Sequence, residues 1–309
     1  MDNITHTLAG ALLGEMGLKR RSRFAMAACL LGANAPDIDV FAPLVLPVDG
    51  IAFHRGPVHS VFAVPILAAV ITGLLWLVDR LWPNEKAAPF RPGPLFLVAL
   101  AAVASHPFLD WLTTYAIAIF APVSWRWYSG NAIFIIDWVY WLMMIVGVSW
   151  SAWRSRRDLP HPGRPAQIAG MLMLAYIGFN LGESAKVEDA TAAELERRGI
   201  EPQLIVAGPP PLAFWDRTIE WRSADRFGSG NFSLTTGIRL GPAVQPLGLN
   251  DPQLVLAERT RRYVRSFLVW SRMPIVITLD GRAYLTDQRF YDGGRRAGSS
   301  YFLIPLDKR

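Results

Sequence analysis

Four long apolar runs, at 60–82, 94–118, 133–153 and 166–183, constrain this chain more than anything else in it. A helix needs about 20 apolar residues to cross a bilayer. Within lipid, each backbone N–H and C=O must be satisfied inside the segment, so an apolar run of that length is read as a helix. Composition agrees: 52% of residues are hydrophobic and 18% charged, with twelve Trp, whereas a soluble domain is about a quarter charged. The apolar excess stops near residue 185, and 186–309 reads as ordinary soluble sequence. The expectation is an α-helical polytopic membrane domain over 1–185, a connector at 186–199, and a smaller β-rich soluble domain at 200–309. The membrane domain would hold about four full spans and shorter N-terminal helices.

Those shorter helices are expected at 4–18 and 22–34. The second should stop before Pro36, since a proline pushes the residue before it out of helical geometry. Pro65 is placed to kink the run 60–82. In the C-terminal part, 204–207, 232–236, 263–270 and 275–279 have strand composition, and Asp280-Gly281 is a hairpin signal.

Charge supplies a topology. The basic loops are 19–23, 83–91 and 154–164, and Lys and Arg collect in cytoplasmic loops. Placing all three inside requires an even number of crossings between them, which the predicted helices provide. Residues 35–59 and 119–132 then lie outside, 166–183 runs outward, and the C-terminal domain is extracytoplasmic. The first residues lack a basic n-region, so no cleaved signal is expected. The net charge of +6 is spread over these short loops, which is topological information and not a nucleic-acid footprint. No nucleic-acid partner is expected. Cys29 is the one cysteine, so an intramolecular disulfide and a thiolate-rich zinc site are both excluded.

The same topology carries a set of imidazoles and carboxylates to the outer side. His106 and Asp110 are four apart, on one helix face. They can hold a metal, or they can be a hydrogen-bonded pair that serves packing. An ionised Asp in an apolar helix costs about 2.5–3.5 kcal/mol, so either reading must supply a partner. In His54-Arg55-Gly56-Pro57-Val58-His59, Gly56 allows an unusual turn and Pro57 suits a first helical position. His54 and His59 can fold toward each other, and the Arg55 fork suits a phosphate or carboxylate. The plainer reading is an interfacial Arg with two solvated histidines. Asn34–Asp39 ends a helix with two acids. In an extended segment Asp37 and Asp39 would share a face, one as a metal ligand and Asp39 as general base; alone, a solvated turn explains them as well. His6 by itself reads as a polar end. Asp137, in the outer part of a span, needs a partner, and the cluster is the nearest. Glu15 and Asp79 should pair with the basic loops. Together these ligands suit one divalent ion or two, most naturally zinc. Two ions about 3.5–4 Å apart would suit phosphoester hydrolysis.

At these residues the chain resembles the YdjM-like family of bacterial inner-membrane metal-dependent hydrolases. The resemblance rests on Met1–Gly10, Asn34–Asp39, His54–Ser60, Ser105–Trp111 and Asn131–Asp137, and covers roughly residues 1–185. The His106/Asp110 pair is also similar to the His-x-x-x-Asp element of the zinc-dependent phospholipase C and P1 nuclease group, whose second element, His-x-x-x-Glu, has no counterpart here. The resemblance implies a multi-pass protein of the bacterial inner membrane. It implies a hydrolase with His6, Asp37, His54, His59, His106, Asp110 and Asp137 as metal ligands and with Asp39 and Arg55 as catalytic residues. Its partners would be membrane lipids and a small-molecule, phosphoester or lipid-like substrate near the outer face. The alternative is a membrane protein that binds or transports metal without catalysis.

Overall fold

The computed structural model describes residues 1–84, 86–242, 244–291 and 302–307; parts of the β-rich segment, at 243, 292–301 and 308–309, lie outside them. The chain divides into two compact units, Met1–Leu181 and Gly182–Arg309.

The first unit is helical. It begins with α1 (Asn3–Glu15) and α2 (Ala25–Asn34). A 3-10 segment (Ala35–Phe41) follows, with α3 (Ala42–Val45), α4 (Gly50–Phe53) and a second 3-10 turn (Pro57–His59). The long helices are α5 (Ala63–Leu81), α6 (Pro92–Trp111), α7 (Trp138–Arg156) and α8 (Arg164–Arg197). Four stretches are long and apolar enough to cross a membrane: Ala25–Val45, Ala63–Leu81, Pro92–Trp111 and Arg164–Arg197. This is a multi-pass membrane protein. The helix expected at 133–153 forms as α7, but Ser149, Ser151, Arg154 and Arg156 lower its hydropathy. Ala25–Val45 takes its place among the four. Helix α2 ends at Asn34, just before Pro36 as expected, but the chain does not become extended there: it tightens into the 3-10 segment with Pro36 in its first turn, where a missing N–H is tolerated. Pro65 sits in the first turn of α5 for the same reason. The run expected to extend to 118 ends as a helix at Trp111.

Helix α5 shows how the unit meets its solvent. Ile66, Val70, Leu74 and Leu77 form one outward stripe, each 47–63% exposed. Ala68, Ile71 and Leu75 on the other side are buried against Ala25, Ala28 and Cys29 of α2 and Leu95, Val98 and Ala99 of α6. A continuous outward apolar stripe of this length on a span-length helix fits contact with lipid. A second core joins Ala9 and Leu12 of α1, Tyr140 and Met144 of α7, and Ala166, Ala169 and Met173 of α8.

Between lipid-embedded helices, close packing does the work that the hydrophobic effect does in water, so small residues sit where backbones approach. A Cβ on Gly32 of α2 would lie 2.8 Å from the Ala102 Cβ and 3.2 Å from the Ala99 carbonyl oxygen of α6. The two ends of the bundle differ sharply. At one end the basic loops are tied together: Arg23 pairs with Asp79 at 2.6 Å, Lys19 with Glu15 at 2.6 Å, and the Arg91 N–H donates to Ser22 Oγ. Glu15 and Asp79 thus have the partners expected of them. The predicted ligands lie at the other ends of the same helices.

In the second unit, the last turns of α8 bury Val187 and Leu195 against Ala207, Ile219 and Trp221. These belong to an antiparallel sheet of β1 (Leu204–Gly208), β2 (Asp216–Arg222), β3 (Arg226–Ser233) and β4 (Gly237–Leu240), with β5 (Gln245–Pro246) paired to β3. Two helices follow, α9 (Pro252–Thr260) and α10 (Arg262–Trp270). A three-stranded sheet of β6 (Pro274–Leu279), β7 (Arg282–Asp287) and β8 (Ile304–Pro305) completes the unit. Asp280 and Gly281 both have positive φ between β6 and β7, as a two-residue type I′ turn requires. Three expectations fail here. Residues 232–236 are not one strand: β3 ends at Ser233 and 234–236 form the turn before β4. Residues 263–270 are not a strand: Val264, Phe267 and Trp270 are the buried ones, and that three-residue spacing is a helical period that overrides β-favouring composition. The connector at 186–199 is not separate, because its first residues continue α8. Ala, Leu, Glu, Lys and Arg are strong helix formers, and no Gly or Pro lies between Gly182 and Gly199.

Gly32→Val should overpack the α2–α6 contact and cost about 1–3 kcal/mol. A lowered thermal midpoint in detergent would show it, and an unchanged midpoint would mean the helices are not held this closely.

Candidate metal centre

The predicted ligands of the cluster come from α1, α6 and the 3-10 segments Ala35–Phe41 and Pro57–His59. Asp2 caps α1, accepting from the N–H groups of Ile4 and Thr5, and Thr5 Oγ1 accepts from Trp141 Nε1 at 2.7 Å. That fixes His6, whose ring stacks on His106 with centroids 3.6 Å apart. His106 and Asp110 lie one turn apart near the end of α6. His59 closes the 3-10 turn that leads into α5. Asp37 and Asp39 lie on the 3-10 segment after α2. They do not share a face, as an extended chain would have arranged, because the segment is helical.

The nearest acceptors, a hydrogen-bonded carbonyl for His106 and a carboxylate contact for His59, indicate which ring nitrogens face inward. His106 Nδ1 is 2.7 Å from the Ala33 carbonyl oxygen, and His59 Nδ1 is 3.1 Å from Asp39 Oδ2. Both partners are acceptors, so both Nδ1 atoms carry the proton and both Nε2 atoms of the neutral rings present lone pairs. Those two Nε2 atoms face each other at 3.1 Å. Asp37 Oδ1 lies 3.3 Å from His106 Nε2 and 3.5 Å from His59 Nε2. Asp110 Oδ2 lies 3.5 Å from His59 Nε2 and 3.7 Å from His106 Nε2. Four acceptor atoms therefore converge, all within 4.8 Å of one another.

These distances test whether a metal fits. Zinc bonds of about 2.0–2.2 Å in a tetrahedron put neighbouring ligand atoms about 3.3–3.6 Å apart. The five contacts just given run from 3.1 to 3.7 Å and correspond to five of a tetrahedron's six edges. The donor set of two imidazoles and two carboxylates suits a divalent ion. The group could hold a metal ion.

The residues around it hold it in place. Asp39 Oδ1 is 2.7 Å from His54 Nδ1, and Asp39 Oδ2 accepts from the Arg55 N–H at 3.2 Å as well as facing His59. Asp39, His54 and His59 form a second group of ligand type, but it uses the other nitrogen of the same His59 ring. Three nitrogens surround Asp39, an arrangement that suits an orienting carboxylate. Arg55 is buried beside Asp110, with Nε 3.2 Å from Oδ2 and its guanidinium over the Tyr115 ring. Its φ of 63° is left-handed, a strain of about 1–3 kcal/mol of the kind found at functional sites. The Asp39 carboxylate and the Ala118 N–H, which donates to the Arg55 carbonyl at 2.9 Å, hold it there. Gly56 follows because a Cβ would lie 2.9 Å from the Phe53 carbonyl oxygen. Arg55 Nη1 is buried and has no hydrogen-bond partner among the described residues. Burial pushes the Arg55 guanidinium down to about 10, so it stays charged at neutral pH. Burial, then the neighbouring His106, holds His6 neutral, well below the usual imidazole range. Asp110 Oδ1 pairs with the Met1 backbone nitrogen and lies 3.5 Å from His6 Nε2.

Asp137 is not brought into the cluster. It caps α7, with Oδ1 accepting from the Tyr140 N–H at 2.9 Å and Oδ2 from the Tyr176 hydroxyl at 2.7 Å. The partner its burial demanded is a helix end and a phenol. Sequence reasoning missed the Ala33 carbonyl that anchors His106. Its signal is Pro36, three residues on, which has no N–H to donate to that oxygen.

The profile of the YdjM inner membrane protein family matches residues 1–187. The chain belongs to the YdjM family. The matched segment contains every residue of the cluster. An uncharacterized protein of Bacillus subtilis (strain 168), YfhP, is 31% identical over 145 residues, covering 44% of this chain and 42% of the relative. This chain thus spans less than half the length of that relative. No solved structure matches the chain. Membership places the protein in the inner membrane as a multi-pass protein.

Metal analysis of the purified protein should find bound ion that His106→Ala and Asp110→Ala lose and Asp137→Asn keeps. Asp39→Ala should weaken binding about 10–100-fold, the usual cost of losing an orienting partner. Equal metal content in all four variants would contradict the assignment.

Proposed function

We propose that this YdjM-family protein is a metal-dependent hydrolase of a phosphoester or lipid-like substrate near the outer face of the inner membrane. The observation that carries the reading is the near-tetrahedral convergence of Asp37, His59, His106 and Asp110 beside the buried, unpaired Arg55 Nη1. One divalent ion, zinc by ligand type, would supply Lewis acidity toward a substrate oxygen and make a water more acidic. Hydrolysis adds that water across an ester bond, giving the acid and an alcohol, with the proton passing to the leaving oxygen. Arg55 offers its free N–H to the anionic oxygen of the substrate, where charge builds in the transition state. Asp39 keeps His59 in the tautomer that presents Nε2. His54, one-third exposed and held by Asp39, is the group that can trade a proton with the outside. His6 stacks under His106 and steadies it. The outward orientation of the centre, and of the C-terminal unit, follows from placing the basic loops in the cytoplasm.

A second reading, metal binding without catalysis, is favoured by one fact: four protein ligands complete a tetrahedron, as in structural zinc sites. Transport is less well supported, because the ligands sit together at one end of the bundle and are not strung along the spans.

The purified, metal-loaded protein should hydrolyse a member of a panel of phosphomonoesters, phosphodiesters and carboxylic esters. Arg55→Lys should lower kcat/KM by about 10²–10³, the cost of one transition-state donor, with metal content retained. Absence of metal-dependent turnover across the panel, or an unaltered Arg55→Lys variant, would refute the reading.

A further inference from the structure

Among the described ligands of the centre, Asp37 is the one with appreciable exposed surface: His59 and His106 have no exposed side-chain surface and Asp110 has 1%, whereas Asp37 has 12%. A cavity of about 460 Å³ also borders the buried His59, but the exposed carboxylate makes Asp37 the natural point of arrival for a substrate. Asp37 is also the polar end of a groove of about 730 Å³ between α2 and α5. Its walls are apolar, with Leu30 and Leu31 on one side and Leu67, Val70, Ile71 and Leu74 on the other. From Leu67 to Leu74 it runs about 10 Å at 1.5 Å per residue, a third of the roughly 30 Å hydrocarbon layer. Thr7 and Asn34, hydrogen-bonded at 3.1 Å, give its Asp37 end a polar margin.

The surroundings of that opening decide what can use it. Ile4, Ile38, Val40 and Phe41 are all 51–63% exposed. Ile38, Val40 and Phe41 lie within a membrane-spanning stretch, so Asp37 is approached past lipid-facing side chains. A water-soluble ester would have to cross that rim. An amphiphile already in the bilayer enters sideways, its chain following the groove and its polar group stopping at Asp37.

We propose that the substrate is a membrane lipid that lays one acyl chain in the α2–α5 groove and presents its ester or phosphoester group at Asp37. This rests on the hydrolytic reading and narrows its substrate. The full chain is reconstituted in vesicles of three parts phosphatidylethanolamine to one part phosphatidylglycerol, doped with a phosphatidylglycerol carrying a mid-chain diazirine. After irradiation, adducts are mapped by peptide mass spectrometry. Peptides bearing Leu30, Leu31, Leu67 and Val70 should be labelled about tenfold over those bearing Leu172 and Leu174, a ratio that reports preferential occupancy. Both of those control residues are more than half exposed on α8. Val70→Trp fills the groove from a position already 51% exposed, and should bring labelling at Leu30 and Leu31 down to the control level with metal content unchanged. Uniform labelling, or groove labelling that survives Val70→Trp, overturns the proposal. Metal-dependent turnover of soluble esters with uniform labelling removes the lipid assignment alone. Groove labelling in a protein inert toward every ester removes the hydrolytic reading alone.

Discussion

Two carboxylates and two imidazole lone pairs pointed at one another inside an apolar bundle cannot be neutral neighbours. These acceptors are largely removed from water, and a cation in their midst could repay that loss. Arg55 supplies positive charge to Asp110, one of the four converging groups. The rest of the first unit can be understood as the frame this arrangement needs. The ligands lie near the C-terminal end of α6 and on the 3-10 segments that follow α2 and precede α5, where the backbone stops being regular and side chains from separate elements can meet.

The frame explains several local features that would otherwise be liabilities. The left-handed Arg55 is tolerated because its N–H reaches Asp39 and its carbonyl receives the Ala118 N–H. Pro36 gives up a helical donor, and the carbonyl it leaves open, Ala33, takes up His106. Gly32 brings α2 against α6, so that the adjacent Ala33 carbonyl is within reach of that ring. Close packing and ligand geometry are therefore coupled through consecutive residues.

The legible part of this protein was the part governed by long apolar runs and charge. Loops 19–23 and 154–164 fixed which helix ends belong together before any coordinates, and the imidazoles and acids fell to the opposite end. Local conformation was harder. Their spacing suggests an extended pair at Asp37 and Asp39, but the chain past Pro36 stays helical, which makes one acid a candidate ligand and sets the other against His59. Asp137 was correctly judged to need a partner, yet a helix N-terminus serves a carboxylate as well as a metal does, and spacing alone does not separate the two. Residues 263–270 show the same limit in the second unit. Val264, Val269 and Tyr263 favour a strand, while the burial of Val264, Phe267 and Trp270 follows a helix.

The most direct test of the central claim is X-ray absorption at the metal edge of protein purified with its ion. The account predicts a first shell of two imidazole nitrogens and two carboxylate oxygens at about 2.0–2.2 Å, with the imidazole signal halved in His59→Ala. A shell without imidazole, or protein that takes up no ion at all, would contradict it.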